Sequence, residues 1–176
     1  MIRTILIHGA IGALIVGVFL AAGIFWPSEK PPTLGLVIGY TMQILALSTV
    51  FLGVKSHRDK ALGGVIKFFP ALGVGLAISA VASLGWAVGW EIFVAGSHFD
   101  ALGYVSKMMQ DEAIKGGASP EQAAAQAQSF AEMYKNPLVR IPMTFVEMFP
   151  VGVLVSLVSA GLLRNNRFLP ARPAAA

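Results

Sequence analysis

The sequence contains no cysteine and few charged residues. The absence of cysteine excludes a disulfide framework, a thiolate metal site and a thiol nucleophile. The three histidines, His8, His57 and His98, are far apart and none has a partner at metal-ligand spacing, which argues against a zincin-like membrane protease. Charged residues make up 12% of the chain, against about 25% in an ordinary soluble domain. The composition therefore argues against a soluble protein, and we expect no metal or cofactor.

Apolar residues take the place of the missing charges, at 56% of the chain with a mean hydropathy of +0.71. They are concentrated in four runs, at about 5–26, 34–54, 71–95 and 139–163. Each run would exceed about 30 Å as a helix, which is the thickness of the hydrocarbon core of a bilayer. The sequence therefore predicts an all-α fold, a four-helix bundle that is integral to the membrane and forms a single membrane domain.

One sizeable polar region, at about 97–136, separates the third and fourth runs. Ser97, with Asp100 three residues later, resembles a helix start, and Ser119, Pro120 and Gln122 form the pattern of a second helix start with a capping box. We expect a helical hairpin outside the bilayer. After the fourth run, the Ala- and Pro-rich tail at about 168–176 is expected to be disordered.

The net charge of +4 comes from Lys and Arg that lie at the ends of the apolar runs, a placement typical of topology signals rather than of nucleic-acid binding. Four spans put eight of these residues on one side and five on the other. The larger set includes a basic loop predicted after the second span, formed by Lys55, Arg58, Asp59 and Lys60. The positive-inside rule places both termini in the cytoplasm and the hairpin outside. The predicted location is the bacterial cytoplasmic membrane.

The fourth run contains an ionisable carboxyl, Glu147, three residues before Pro150. A carboxylate near mid-membrane costs about 3 kcal/mol on insertion scales, so it needs a reason to be there. Spans two and four begin on the same side, which puts Gln43 and Glu147 at similar depths of about 14 Å and 12 Å. We predict a polar cluster of Glu147, Gln43 and Tyr40, with Arg140 closer to the surface and a kink or local opening at Pro150.

Two interpretations of this cluster remain open. A membrane carboxyl beside a helix break is an ingredient of proton or cation coupling, whereas a purely structural Glu147 would fix helix register through hydrogen bonds.

The carboxyl of Glu91, close to the end of the third span, is expected to reach water. In the first span, Gly9, Ala13, Gly17 and Ala21 form a stripe of small residues, which favours packing within the chain over a dimer face.

Several short motifs together resemble the bacterial domain-of-unknown-function family numbered 4199. The motifs are Gly39-Tyr40, the stretch from Phe51 to Lys60, Gly63-Gly64 with Phe68, the junction from Tyr134 to Leu138, and the stretch from Glu147 to Gly152. The resemblance covers nearly the whole chain. It implies a small four-span membrane protein with an extramembrane insert before the last span, and it brings no activity with it.

The leading functional hypothesis is a non-enzymatic envelope protein that acts through packing or partners. The alternative is a proton- or ion-coupled transporter or channel component that uses Glu147. An enzyme ranks third, because no positioned nucleophile and base occur at membrane depth. The expected partners are the lipid bilayer and a protein bound through the hairpin, and we expect no binding to nucleic acid. The formation of a homo-oligomer is left open.

Overall fold

A computed structural model describes residues 1–24, 32–96 and 100–171. In this part of the chain every regular element is a helix, as predicted. The six helices are α1 (Ile2–Ile24), α2 (Pro32–Ala61), α3 (Phe68–Gly96), α4 (Ala101–Lys115), α5 (Pro120–Tyr134) and α6 (Pro137–Leu163). By length and composition α1, α2, α3 and α6 can each cross a bilayer, so this is a multi-pass membrane protein. Residues 25 and 26, the end of the first predicted span, lie outside the described residues.

Helix α2 continues seven residues beyond the predicted end of the second span. The predicted basic loop is therefore wrong, because Lys55, Arg58, Asp59 and Lys60 occupy the last two turns of this helix. Basic side chains in a last turn interact favourably with the negative end of the helix dipole, and Lys55 and Asp59 form an i,i+4 ion pair at 2.5 Å. The turn into α3 follows at Gly63 and Gly64, whose φ angles of +62° and +91° favour glycine.

The starts of α4, α5 and α6 depend on short polar side chains. In α5 the Ser119 hydroxyl accepts from the Gln122 N–H and the Gln122 side chain accepts from the Ser119 N–H, which confirms the predicted capping box. Helix α4 begins later than predicted, with Asp100 as its N-cap, and Ser97 lies outside the described residues. Asn136 caps α6, whose first residue is Pro137. Helices α4 and α5 pack against each other, and α5 also touches α6.

Helix α3 lies at the centre of the bundle and packs against α1, α2 and α6. Its most extensive contact is with α6, where two Gly-x-x-x-Ser segments run in opposite directions against each other. Gly75 of α3 contacts Ser156 of α6, while Ser79 of α3 contacts Gly152 of α6. The Ser79 hydroxyl donates to the Gly152 carbonyl at 3.1 Å and lies 3.1 Å from the Ser156 hydroxyl. Small residues thus let the two backbones approach closely while their hydroxyls stay satisfied.

The small-residue stripe of α1 is used in part for packing within the chain, as predicted. A Cβ at Gly9 would collide with Val81 of α3, and Ala13 lies against Gly85 of α3. Gly17, by contrast, faces open space, since nothing lies within 4 Å of where its Cβ would be. Gly9 and Ala13, the first half of the stripe, therefore pack against α3, whereas Gly17 does not.

Candidate functional site

Glu147 lies ten residues into α6, about 15 Å from the start of the helix. Its side chain is exposed on the surface of the bundle, where it lines an open groove of about 370 Å³ with Pro142, Met143 and Val146. Helix α6 continues through Pro150, so the chain is helical on both sides of the proline. Proline has no N–H, so the carbonyl of Val146, the residue immediately before Glu147, lacks its usual helical donor.

The structure brings Gln43 and Glu147 together, but not through the carboxyl. The Gln43 side-chain amide donates to the backbone carbonyl of Glu147 at 3.3 Å. Tyr40 is 62% exposed, and among the described residues it makes no hydrogen bond to the carboxyl. The neighbour of the carboxyl is instead the indole of Trp86 on α3. Trp86 was missed because nothing in its local sequence indicates that it faces α6.

Arg140, predicted near Glu147, binds Glu91 instead. Its Nε and Nη2 donate to the two carboxylate oxygens of Glu91 at 2.6 and 2.5 Å, a bidentate pair between the start of α6 and the end of α3. The two side chains are only 13% and 22% exposed. Glu91 was expected to reach water; its side chain is partly exposed, but both of its carboxylate oxygens are bound by Arg140. The reason is that the antiparallel packing of α3 and α6 brings the guanidinium directly to it.

Tyr134, the last residue of α5, is attached to the same pair. Arg140 donates to the Tyr134 carbonyl at 3.2 Å, and its guanidinium lies 5.6 Å from the centre of the Tyr134 ring. The phenol accepts from the Trp90 indole N–H at 2.8 Å. Burial raises the pKa of this phenol, although the bond from Trp90 opposes the shift. We call Trp90, Glu91, Tyr134 and Arg140 the Tyr134 cluster; it fastens α5 to the bundle.

Arg58 occupies the opposite end of the bundle, which we call the basic end. Its side chain is completely buried, and its Nε binds Asp59 at 2.7 Å. The two other guanidinium nitrogens donate to carbonyls at and beyond the end of α6. These acceptors are Phe168 at 2.9 Å, Leu163 at 3.5 Å, and Leu169. Arg58 therefore joins α2 to the segment that follows α6, a role that its sequence position as a topology signal does not indicate.

The segment that follows α6 is ordered at its start. The ring of Phe168 packs edge-on against Phe51 of α2, with ring centres 6.5 Å apart. The predicted disordered tail, 168–176, is therefore wrong for 168–171, because Arg58 and Phe51 hold this stretch. The remainder of the predicted tail, 172–176, lies outside the described residues.

Among the described residues, the Tyr134 cluster and Arg58 with its partners are the charged groups that join separate elements, whereas the ion pairs Lys115–Glu112 and Lys135–Glu132 are local to the ends of α4 and α5. No three His, Asp or Glu side chains of the described residues come together as a group that could hold a metal ion. The Tyr134 cluster and Arg58 each hold helices in place, whereas Glu147 is open to what surrounds the bundle.

The family model of a protein of unknown function, DUF4199, matches residues 5–165 of this chain. The chain belongs to the DUF4199 family. The match runs through all four candidate spans and both intervening helices, so it includes the Tyr134 cluster, Arg58 and Glu147. The predicted resemblance is confirmed. No curated protein and no solved structure matches the chain significantly.

Proposed function

We propose that this DUF4199 protein is a non-enzymatic protein of the bacterial cytoplasmic membrane that acts through protein contacts made by α4 and α5. In this proposal both termini are cytoplasmic, and α4 and α5 lie outside. The distribution of basic residues supports the orientation, with eight Lys and Arg on the side of the termini and five on the other. Helices α4 and α5 have 15 residues each, or about 22 Å, which is too short to span a bilayer.

Exposed apolar side chains on α4 and α5 carry the proposal. Tyr104, Met108, Ile114 and Met133 are between 45% and 56% exposed. On α1, α2, α3 and α6 similar exposure is explained by lipid, but helices outside the bilayer have no such explanation. Tyr104 and Met108 lie one turn apart on the same face of α4. A partner protein that covers these side chains would bury aromatic and methionine surface, which is enriched in protein interfaces.

The attachment of α5 supports a fixed position for this surface. The Tyr134 cluster ties the end of α5 to α3 through the bond from Trp90 to the Tyr134 hydroxyl, and to α6 through the bond from Arg140 to the Tyr134 carbonyl. A partner bound to α4 and α5 would therefore be held in a defined position relative to the spans.

Site-specific photo-crosslinking in intact cells tests this function. A photoreactive phenylalanine analogue replaces Tyr104 or Met108, and the matched control replaces Gln128, which is exposed on α5. We expect a discrete crosslinked protein from positions 104 and 108 and none from 128. A crosslinked product that contains two copies of this chain would show that the partner is a second copy of the same protein. The absence of any product specific to 104 and 108 would contradict the proposal.

The Glu147 groove supports a second candidate function, in ion or proton coupling. The observation in its favour is an ionisable side chain within a span that lines an open groove of about 370 Å³. The test compares the wild type with Glu147→Gln in proteoliposomes that report proton or cation flux. The control is Glu132→Gln, a change on the exposed surface of α5. Flux lost only with Glu147→Gln would support coupling, and flux that is absent or unchanged would exclude it.

A further inference from the structure

A mostly apolar cavity of about 340 Å³ opens at the basic end, between the start of α1, the end of α2 and the start of α3. Its lining residues are Met1, Ile5, His57, Pro70, Gly73, Val74 and Ala77. The volume falls within the range of about 300 to 1,000 Å³ that is usual for small-molecule sites. Ala77 is nine residues into α3, so the cavity reaches about 14 Å from the helix start, into the depth of the hydrocarbon core.

The charges around this cavity are almost all positive. Arg3, Lys60 and Lys67 are exposed and lie within three residues of a lining residue. In the described part of the chain none of the three forms an ion pair. Asp59 is the acidic residue found at this end of the described helices, and it is already bound to Lys55 and Arg58. The mouth therefore has an excess of positive charge that no described residue neutralises.

His57 is the polar side chain in the lining. It is 9% exposed, and its Nδ1 has no hydrogen-bond partner among the described residues. A buried nitrogen without a partner is unusual in a folded protein, because its desolvation is not compensated. The cavity thus combines an apolar interior, one buried polar ring and a cationic rim.

We propose that this cavity is a binding site for an anionic phospholipid. One acyl chain occupies the space between Ile5, Gly73 and Ala77, and the phosphate lies among Arg3, Lys60 and Lys67. Hydrocarbon suits the depth and lining of the cavity, and negative charge suits its rim. The site is independent of any protein partner on α4 and α5.

The first test fills the cavity. At both Gly73 and Gly161 an added Cβ would meet nothing within 4 Å, but only Gly73 lines the cavity. Gly73→Leu and Gly161→Leu are therefore matched variants. Native mass spectrometry of the purified full chain would count bound phosphatidylglycerol and phosphatidylethanolamine of identical acyl composition. We expect the wild type to prefer phosphatidylglycerol. We expect Gly73→Leu to bind about ten-fold less of it. This is the loss in affinity that corresponds to roughly two methylene groups of the acyl chain that are no longer buried.

Gly161→Leu should bind phosphatidylglycerol as the wild type does. Thermal unfolding of both variants checks that they are folded. Equal binding of the two lipids by the wild type would overturn the proposal, and so would equal losses in the two variants.

The second test removes charge from the rim. Lys67→Gln should reduce the preference for phosphatidylglycerol by about five-fold, the effect expected of one basic residue near an anionic surface. The control is Lys107→Gln, a change at an exposed position of α4, which should leave the preference for phosphatidylglycerol unchanged. A loss of preference in Lys67→Gln with normal binding in Gly73→Leu would mean that lipid associates with the surface alone. That result would also overturn the proposal.

Discussion

Both ends of α6 are tied to a neighbouring helix by an arginine that pairs with a carboxylate, Glu91 for Arg140 and Asp59 for Arg58. The contact that crosses between the helices nevertheless uses a different acceptor at each end. At the start of α6, Arg140 binds the carboxylate of Glu91 on α3. At the other end, Arg58 of α2 binds carbonyl oxygens at and beyond the last residue of α6. The first arginine is 13% exposed and the second is fully buried.

The polarity of the helix explains this difference. The start of a helix presents N–H groups, which cannot accept a bond from a guanidinium, so a cation there requires a carboxylate. The end of a helix presents carbonyls without intrahelical donors, and these accept from arginine directly. Arg140 pairs with Glu91, and Arg58 pairs with Asp59. The excess of positive charge at the basic end comes from Arg3, Lys60 and Lys67, which form no ion pair among the described residues. The two ends should consequently respond differently to substitution.

Removal of Arg58 should have the largest effect. Arg58→Met keeps an unbranched side chain but leaves one buried and two partly buried carbonyl acceptors without a donor, which we expect to destabilise the fold by about 3 kcal/mol. Thermal unfolding in detergent measures the loss, and tryptic cleavage at Arg164 and Arg167 reports release of the segment after α6. The control is Lys60→Met, an exposed change in the same last turn. Similar stability of the two variants would contradict the role of Arg58.

A change between the two ends should have the next largest effect, because the α3–α6 contact sets the spacing that Arg140 and Glu91 bridge. A Cβ at Gly152 would lie 2.7 Å from the Cβ of Ser79. Gly152→Ala should therefore cost about 2 kcal/mol through overpacking. Gly161→Ala, on the same helix in open space, should be neutral or slightly stabilising. Calorimetry of the two variants makes the comparison, and equal unfolding temperatures would show that α3 and α6 are not in close contact.

The smallest of these effects is expected for the ion pair between Glu91 and Arg140, at the end of the bundle where α5 is attached. A double-mutant cycle with Glu91→Gln and Arg140→Gln should give a coupling energy of about 1 kcal/mol, because the pair is partly shielded but replaceable by water. The same cycle on Glu112 and Lys115, an exposed pair within α4, should show no measurable coupling. Chemical unfolding supplies the free energies. Equal coupling in the two cycles would mean that the Tyr134 cluster adds nothing beyond a surface contact.

Local patterns were enough to predict several features of this protein. The four spans were recognisable because transfer of apolar side chains to lipid depends on composition along about 20 residues. The capping box of Ser119 and Gln122 was recognisable because its partners are three residues apart. Similar depth in the bilayer also indicated that Gln43 and Glu147 would meet, although only the fold showed that the acceptor is a backbone carbonyl.

Composition and periodicity alone determined that the chain is helical, crosses the membrane and carries short polar helices between its last two spans. Tertiary structure decided which charged side chains pair. Glu91 and Arg140 are 49 residues apart, and Arg58 lies 105 to 111 residues from its carbonyl acceptors. Neither set of contacts leaves a local signal, because a helix face shows which residues are neighbours on its own surface but not which helix will lie against it.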